Sequence, residues 1–224
     1  MPQPGLNEIL AKVEAVGICA SDGKCYTGAE VYWGKPGTLF VPKSYFCRNI
    51  SHISGLKPPK VKGPMIPGHE FSCTVAALGS GAGAHHQVEV GDLAVVEQVV
   101  TCGTCRFCLN GLYEVCPGSK IIGFSPLHPG AMANVMILPA ASRVHKVPSN
   151  VNPVHAAFAE PLSCGLHGVQ SANITFQDTV VVSGCGPVGL SMIVGARQKG
   201  PRWLIAIDVV DWKVTSTLLR RNKK

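Results

Sequence analysis

The first part of the chain alternates apolar and polar residues, which is the pattern of half-buried strands. Within residues 8–18, Ile9, Ala11 and Val13 alternate with Lys12 and Glu14, and this period of two predicts a strand with one buried face. Further short β-rich runs, separated by glycine and proline, occur at residues 71–78, 92–100, 133–138 and 143–147. Short strands at this spacing predict a small β-barrel or sandwich.

The pattern changes near residue 150. Residues 152–171 have the apolar spacing of a helix, residues 179–183 form an apolar strand, residues 187–199 a second helix and residues 203–207 another buried strand. This order predicts a βαβ unit, the start of a parallel sheet with helices on its faces. We therefore expect an α/β protein with a β-rich N-terminal domain at residues 1–150 and an α/β domain at residues 151–224.

Composition and charge exclude several classes of protein. An apolar fraction of 46% with 15% charged residues predicts a folded globule. No apolar run approaches the roughly 18 residues of a membrane span, and the start shows no secretory signal pattern, so we expect a cytoplasmic protein with no membrane association. The net charge of +7 comes from residues 35–62 and 211–224, which carry +6 and +4 and leave −3 elsewhere. Positive charge confined to two segments is weak evidence for a nucleic-acid partner.

Four of the ten cysteines, Cys102, Cys105, Cys108 and Cys116, follow the spacing C-x2-C-x2-C-x7-C. Thiolates at this spacing can converge on one tetrahedral Zn²⁺, and four sulfur ligands leave no open position for water. The pattern predicts a structural zinc lobe at residues 100–118. Disulfides and an iron–sulfur cluster are the alternatives, although the first needs an oxidising compartment and the second usually has a shorter last gap.

A glycine-rich turn stands between the predicted strand and helix of the second domain. Gly184, Gly186 and Gly189 form a G-x-G-x-x-G motif, and Asp208 lies 19 residues beyond the last glycine at the end of the next strand. In this context the glycines let the backbone approach a pyrophosphate, and the carboxylate can hydrogen-bond the ribose hydroxyls of NAD. The carboxylate would repel the 2′-phosphate of NADP, so we expect NAD as the cofactor.

Three further segments complete a constellation: Gly-Ile-Cys-Ala-Ser-Asp at 17–22, Pro-Gly-His-Glu-Phe at 67–71, and Ala-Glu-Pro-Leu-Ser-Cys at 159–164. With the four-cysteine lobe and the glycine turn, in this order, the chain resembles the zinc-dependent medium-chain dehydrogenase/reductase family. Within that family it is similar to polyol dehydrogenases of the sorbitol, erythritol/threitol and threonine 3-dehydrogenase type. The resemblance implies a GroES-like β-barrel catalytic domain followed by a Rossmann fold.

The resemblance also implies a second, catalytic zinc and a small-molecule alcohol or polyol as substrate. Cys19 and His69 would hold this zinc, and Glu70 and Glu160 would alternate as its carboxylate partners. A catalytic zinc keeps one position open for substrate. The implied activity is transfer of a hydride from a polyol or secondary alcohol to NAD⁺, with a threonine 3-dehydrogenase-like enzyme as the alternative.

Other residues match family positions near the reaction. Ser21 matches the hydroxyl that passes the alcohol proton toward solvent, and Asp22 matches a residue behind the zinc ligands. Val188 and Lys213 match positions near the cofactor. The resemblance therefore implies Ser21 and Glu160 as the groups that take part in catalysis.

Two departures from the family pattern shape our expectations. Cys19 and His69 stand 50 residues apart, more than the resemblance implies, and we predict an unusual insert at about residues 36–56. Only two strands of the Rossmann sheet are expected, so the chain resembles an incomplete fragment without the edge through which the family usually forms homo-oligomers. A catalytically inactive zinc-binding fragment is a further alternative.

Overall fold

The computed structural model describes residues 1–26, 66–124 and 128–219. The described chain divides into two compact units, Met1–Phe158 and Ala159–Lys224, which are considered separately below. The predicted insert at 36–56 lies outside the described residues. In the described parts of the chain, no helix is both long and apolar enough to cross a membrane.

The first unit is built on antiparallel strands. Five of them form one sheet with the order β6-β1-β2-β3-β7, and β4 pairs with β5 in a separate two-stranded ribbon. This arrangement confirms the predicted β-rich N-terminal part. The strands are β1 (Ile9–Val16), β2 (Phe71–Leu78), β3 (Leu93–Val96), β4 (Val99–Val100), β5 (Lys120–Ile121), β6 (Val135–Leu138) and β7 (Val144–Lys146).

Short helices connect these strands. None of those described between residues 1 and 158 exceeds the seven residues of α1, and the sequence periodicity predicts none of the first three, because they are too short to show a repeating apolar face. The helices of this unit are α1 (Ala20–Tyr26), α2 (Ala82–His86), α3 (Arg106–Leu109), a 3₁₀ turn at Tyr113–Val115, and α4 (Pro153–Ala156).

The core of the first unit lies on one face of the five-stranded sheet. Ile9, Val75 and Leu138 are almost fully buried on three neighbouring strands, and Ile122, directly after β5, joins them. Because Ile122 follows the four-cysteine segment, the base of that segment is fixed to the core. Burying side chains of this size stabilises the fold by roughly 1.5–3 kcal/mol each.

The second unit contains the predicted βαβ arrangement. β8 and β9 pair in parallel, with Thr179 opposite Trp203 and Ser183 opposite Ile207, and the helix between them has the predicted bounds. The α/β character of this part is confirmed. Its elements are α5 (Ala159–Ser171), β8 (Thr179–Ser183), α6 (Pro187–Lys199), β9 (Trp203–Ile207) and α7 (Asp211–Leu219).

Helices α5 and α6 approach each other closely through small residues. A Cβ added at Gly165 would lie 2.4 Å from the Cβ of Ser191, and one added at Gly195 would lie 2.8 Å from Leu166. At Gly165 backbone atoms of Met192 and Ser191 would also lie at 2.9 Å, so the packing of these two helices requires glycine there, whereas at Gly195 the end of the Leu166 side chain would have to move.

Two predicted elements are divided in the structure. The run 92–100 is two strands, because Leu93–Val96 pairs with β2 and β7 whereas Val99–Val100 pairs with β5. The helix at 152–171 is interrupted between Ala156 and Ala159. Pro161 explains the break, since its ring would clash with the carbonyl four residues earlier in a continuous helix, but is tolerated in a first turn.

The strands β8 and β9 are less buried than predicted. Val181, Ile205 and Ile207 are about half exposed, and Trp203 is 61% exposed. Exposed and less exposed residues alternate along both strands, so one face of this two-stranded sheet is uncovered among the described residues, whereas helices cover both faces of a complete parallel sheet.

Candidate metal centres and nucleotide-binding turn

The four cysteines of the lobe converge on one point. The Sγ atoms of Cys102, Cys105, Cys108 and Cys116 all lie within 4.8 Å of one another, and four of their separations are 3.5, 3.6, 3.9 and 3.9 Å. A tetrahedral zinc with Zn–S bonds of about 2.3 Å places its sulfurs about 3.8 Å apart. The donor set therefore fits this ion, whereas a disulfide needs about 2.0 Å, and all four cysteines are free.

Local backbone geometry brings the four thiols together. Gly103 and Gly111 have φ angles of 72° and 74°, a left-handed conformation that glycine adopts without steric cost. Cys105 caps α3, and its Sγ accepts a hydrogen bond from the backbone N–H of Cys108. The ribbon of β4 and β5 closes the base of the lobe. The backbone therefore turns at Gly103 and again at Gly111, and the four sulfur atoms come close together.

The thiols of the lobe differ in acidity. The N–H groups of Thr104 and Cys105 donate to Cys102 and lower the pKa of its thiol to about 6. Burial raises the pKa of the Cys116 thiol to about 11. Cys102 is therefore largely a thiolate at neutral pH and Cys116 a neutral thiol, which must lose its proton to ligate a metal.

Three of the residues implied as catalytic-zinc ligands form a second cluster. One donor atom each from Cys19, His69 and Glu70 lies within 4.8 Å of the others. His69 is buried at 4% exposure, and the other two are half-buried. One sulfur, one imidazole nitrogen and one carboxylate oxygen are a donor set that suits zinc and leaves a fourth tetrahedral position open.

His69 and Glu70 are placed by glycines. Gly68 has a φ angle of 101°, and its carbonyl accepts a hydrogen bond from the N–H of Ala131. Gly17 donates its N–H to the carbonyl of Glu70 at 2.7 Å, and a Cβ at Gly17 would lie 2.6 Å from Oε2 of Glu70. The side chains of the second cluster thus depend on two positions that have no room for a larger residue.

Asp22 connects two members of this cluster. Its Oδ2 accepts a hydrogen bond of 2.8 Å from the N–H of Cys19, and its Oδ1 lies 3.6 Å from Nδ1 of His69. The last two atoms are buried and have no hydrogen-bond partner in the described part of the chain. Because Nδ1 of His69 faces Asp22, Nε2 is the ring nitrogen available for a metal.

Two further predicted residues occupy different elements. Ser21 is half-buried on α1, two residues beyond Cys19. Glu160 lies in the first turn of α5, in the second unit, where its Oε1 accepts a hydrogen bond from the thiol of Cys164 at 3.6 Å. The roles of Ser21 and Glu160 stay predictions.

The glycine turn has the geometry that its motif predicts. Gly184 has a φ angle of 101°, Gly186 precedes α6 as its N-cap, and a Cβ at Gly189 would lie 1.8 Å from the carbonyl oxygen of Gly184. A Cβ at Gly186 would meet no atom within 4 Å. The first and third glycines are therefore required by the fold, while the second leaves open space in front of the helix N-terminus.

Asp208 is bound to this turn. Its Oδ2 accepts a hydrogen bond of 2.8 Å from the N–H of Cys185, and its Oδ1 accepts one of 2.9 Å from the N–H of Val210. These hydrogen bonds, with a smaller contribution from the charge of Lys213, lower the pKa of the Asp208 carboxyl. Lys213 is thus close to Asp208, and Val188 is partly exposed in the first turn of α6.

One neighbour of the second cluster, Phe124, could not be predicted from the sequence. The ring of Phe124 lies 4.8 Å from the imidazole of His69, centroid to centroid, at an interplanar angle of 45°. Phe124 stands just after the four-cysteine lobe, 55 residues from His69, and a single aromatic residue in a loop has no periodicity to mark it. The contact arises only from the fold.

The comparisons with known proteins agree with this arrangement. The family model described as "Alcohol dehydrogenase GroES-like domain" matches residues 5–149. The erythritol/L-threitol dehydrogenase of Mycolicibacterium smegmatis is 45% identical over 96% of this chain and 54% of the relative. The sorbitol dehydrogenase of Bacillus subtilis is 32% identical over 93% of this chain and 51% of the relative. The chain spans about half the length of these curated relatives.

Solved structures share the fold. A protein from Sinorhizobium meliloti 1021, described as a zinc-binding dehydrogenase and solved with bound NADP, superposes with a TM-score of 0.74. It is 27% identical, and the match covers 97% of this chain and 54% of that one. Through its GroES-like domain and its similarity to these dehydrogenases, the chain belongs to the zinc-dependent medium-chain dehydrogenase/reductase family.

Proposed function

We propose that this protein is a zinc-dependent oxidoreductase that transfers a hydride from a polyol or secondary alcohol to NAD⁺. The observation that carries the proposal is the convergence of Cys19, His69 and Glu70, whose donor atoms lie within 4.8 Å of one another. A set of one thiolate, one imidazole and one carboxylate leaves room for a substrate oxygen, as catalytic zinc sites require.

The chemistry supplied by the bound groups would be Lewis-acid polarisation of the alcohol oxygen and acceptance of a hydride by the nicotinamide. Cys19, Nε2 of His69 and Glu70 would hold the metal, with Glu160 as the further carboxylate. Asp22 would orient the first two, because it contacts the backbone of Cys19 and faces Nδ1 of His69. Buried carboxylates behind a metal-bound imidazole fix its orientation and raise its basicity.

Proton transfer would involve Ser21. An alcohol that becomes a ketone or aldehyde loses a hydride from carbon and a proton from oxygen, so the site needs a path for the proton. The hydroxyl of Ser21 is half-buried and two residues from Cys19, which suits a group that accepts the proton inside the site and passes it outward. Ser21 can do so because a hydroxyl both donates and accepts hydrogen bonds.

The second unit would bind the cofactor. Gly184, Gly186 and Gly189 shape the turn that receives the pyrophosphate at the N-terminus of α6, and Asp208 would hydrogen-bond the ribose. The ionised carboxylate of Asp208 would favour NAD⁺ over NADP⁺. Val188 and Lys213 would lie near the bound cofactor. This assignment makes residues 151–224 the nucleotide-binding part and residues 1–150 the catalytic part.

The four-cysteine lobe would hold a second zinc with a structural role. Four thiolates complete the tetrahedral coordination of the ion, so no position is left for water or substrate. We therefore propose two zinc ions per chain, one in each cluster. A small polyol of the erythritol or threitol class is the proposed substrate, because the relative at 45% identity acts on these compounds according to its name. Free cysteines throughout the described chain suit the reducing cytoplasm.

Metal content and NADH formation test the proposal together. The purified 224-residue chain should contain two zinc ions and should reduce NAD⁺ in the presence of erythritol, L-threitol or sorbitol, measured by NADH absorbance. His69→Ala should remove one zinc ion and abolish NADH formation, because it deletes a ligand of the open site. Cys105→Ser should remove the other zinc ion.

The control is His85→Ala. His85 is an exposed histidine of the same unit whose Nε2 contacts the carbonyl of Ala140, and its replacement should leave both zinc ions bound. A wild-type chain with one zinc ion, or an activity that survives His69→Ala, would contradict the proposed site. A chain with both zinc ions and no NADH formation would favour the alternative of an inactive zinc-binding protein.

A further inference from the structure

Arg143 joins the four-cysteine lobe to the five-stranded sheet. The residue directly precedes β7, and its guanidinium carbon lies 4.1 Å from the centroid of the Tyr113 ring, in the 3₁₀ turn of the lobe. A guanidinium at this distance over an aromatic face is attracted by the negative face of the ring. One side chain from the sheet therefore contacts the lobe between its third and fourth cysteines.

The same guanidinium also reaches the other end of the lobe. Nη1 of Arg143 lies 3.5 Å from Oγ1 of Thr101, which is buried at 6% exposure immediately before Cys102. Thr101 directly precedes the first cysteine of the lobe, and Tyr113 lies between its third and fourth cysteines. The single guanidinium of Arg143 therefore contacts the lobe at two points that enclose Cys102, Cys105 and Cys108.

Glu97 holds the guanidinium in place. Nε of Arg143 donates to Oε2 of Glu97 at 2.5 Å, the N–H of Glu97 donates to the carbonyl of Arg143 at 3.0 Å, and Oε1 of Glu97 accepts from Nε2 of His145 at 3.1 Å. Arg143 and Glu97 are 26% and 42% exposed as side chains, and an isolated pair of this kind contributes little to stability. The additional contacts with Tyr113 and Thr101 distinguish this pair from an ordinary surface ion pair.

We propose that Arg143 is a positioning residue for the structural zinc: through its contacts with Tyr113 and Thr101 it anchors the lobe on both sides of Cys102, Cys105 and Cys108. The inference rests on the proposed occupation of the four-cysteine lobe by zinc. The lobe is otherwise joined to the sheet through the short strands β4 and β5, of two residues each. Mutation of residues that orient metal ligands without binding the metal typically lowers metal affinity about 10- to 100-fold. Loss of the Arg143 contacts should therefore speed release of the ion.

The test is the rate at which zinc leaves the lobe. Zinc transfer from the 224-residue chain to a chromogenic indicator present in excess is followed in a Cys19→Ser background, so that only the four-cysteine site reports. Arg143→Met should release zinc at least about tenfold faster than the parent chain. The Arg143→Lys variant should release zinc nearly as fast as Arg143→Met. An ammonium group cannot contact the ring, Glu97 and Thr101 at once as a planar guanidinium does.

Arg106→Met is the matched control. Arg106 is an exposed arginine of the lobe itself, and its guanidinium lies 4.6 Å from the ring of Phe107, within the same short helix. Its replacement removes a cation–aromatic contact without touching the sheet, so zinc release should stay at the parent rate. Equal acceleration by Arg106→Met and Arg143→Met would overturn the proposal.

Thr101→Val tests the contact between Thr101 and Arg143 with a residue of almost the same shape. It should also speed zinc release, and the Thr101→Val/Arg143→Met double variant should release zinc no faster than Arg143→Met, since both act on the same contacts. Additive effects of the two substitutions would contradict the proposal that Arg143 acts through Thr101. If Arg143→Met releases zinc at the parent rate, the role of Arg143 is wrong but the proposed structural zinc stands. If the parent chain holds no zinc in the lobe, the proposed structural zinc itself is wrong.

Discussion

Oδ1 of Asp22 and Nδ1 of His69 face each other at 3.6 Å, and both atoms are buried without a hydrogen-bond partner in the described chain. The other carboxylate oxygen of Asp22 is already bound to the N–H of Cys19 at 2.8 Å. A single carboxylate thus fixes the backbone of one proposed metal ligand and faces the ring of another. Two buried polar atoms in such a position are costly unless a further charge compensates them, and a cation bound to His69 would do so.

Asp22→Asn should therefore weaken metal binding at the second cluster. Asparagine keeps the size and can still accept the hydrogen bond from Cys19, but it loses the negative charge opposite the imidazole. We expect metal affinity at this site to fall by about 10- to 100-fold with little change in the melting temperature. The measurement is competition with a chelator of known affinity, and unchanged affinity would remove Asp22 from the site.

The sequence predicts best those elements whose ends are marked by nearby glycine or proline residues. The strands Thr179–Ser183 and Trp203–Ile207 and the helix Pro187–Lys199 have the predicted bounds, because glycine and proline mark their ends. The convergence of the four cysteines was predictable from their spacing alone, since all four lie on one short segment. Such signals depend only on neighbouring residues, so they can be recognised without knowledge of the tertiary fold.

The remaining features depend on contacts between distant segments. Residues 92–100 have one continuous β-rich pattern, and only the partner strands decide that Leu93–Val96 and Val99–Val100 belong to different sheets. The contacts of Phe124 with His69 and of Arg143 with Tyr113 also join residues far apart in the chain. No periodicity encodes such pairs, and the family resemblance identified ligands without identifying these neighbours.

Cys108→Ser should remove the zinc ion of the lobe and unfold residues 100–118 locally. Cys108 is buried and near two other sulfurs of the cluster, and structural zinc binding is coupled to folding of the loop that holds the ligands. Zinc content should fall by one ion per chain, measured by atomic emission, and limited proteolysis should cut within the lobe.

Cys73→Ala is the control for that variant. Burial raises the pKa of the Cys73 thiol to about 12, so this cysteine is a neutral core residue, and it belongs to neither metal-binding cluster among the described residues. Its replacement should keep both zinc ions. Loss of zinc from the lobe in Cys73→Ala, or retention in Cys108→Ser, would contradict the assignment of ligands.

Zinc binding by the lobe should weaken as the pH falls. The pKa of Cys102 is lowered to about 6, so its thiolate is present above that pH and is lost as the pH falls through it, while Cys116, with its pKa raised to about 11, must give up a proton at any neutral pH. Metal and protons therefore compete. Zinc retained after dialysis of the Cys19→Ser variant should be complete at pH 8 and should decline steeply below about pH 6. Equal retention at pH 8 and pH 5 would contradict this.

Two glycines of the turn proposed to bind the nucleotide should respond differently to the same substitution. Gly189→Ala places a Cβ 1.8 Å from the carbonyl of Gly184, so it should disrupt the turn and destabilise the second unit. Gly186→Ala meets no protein atom within 4 Å, and we expect a normal fold with loss of NAD⁺ binding, because the methyl group occupies the space of the pyrophosphate. Circular dichroism and calorimetric titration distinguish the two outcomes. A Gly186→Ala variant that binds NAD⁺ normally would contradict the proposed phosphate position.

The charge of Asp208 should determine the choice of cofactor. Hydrogen bonds from the N–H groups of Cys185 and Val210 lower the pKa of this carboxyl, so it is ionised throughout the neutral range and would repel a 2′-phosphate. Asp208→Asn keeps an oxygen that can accept from Cys185 but removes the charge. We expect the ratio of NADP⁺ to NAD⁺ affinity to rise at least about tenfold, which corresponds to about 1.4 kcal/mol.

Asp208→Ser and Asp211→Ser complete this experiment. Asp208→Ser shortens the side chain, so it should shift the ratio as Asp208→Asn does and also weaken NAD⁺ binding, because the turn loses its hydrogen bond from Cys185. Asp211 is an exposed carboxylate in the first turn of α7, three residues away, and its replacement removes the same charge from the unit without touching the turn. Because that charge lies off the proposed ribose site, the cofactor ratio should stay at the wild-type value. If Asp211→Ser and Asp208→Asn shift the ratio equally, the preference reflects the overall charge of the unit and Asp208 does not contact the ribose.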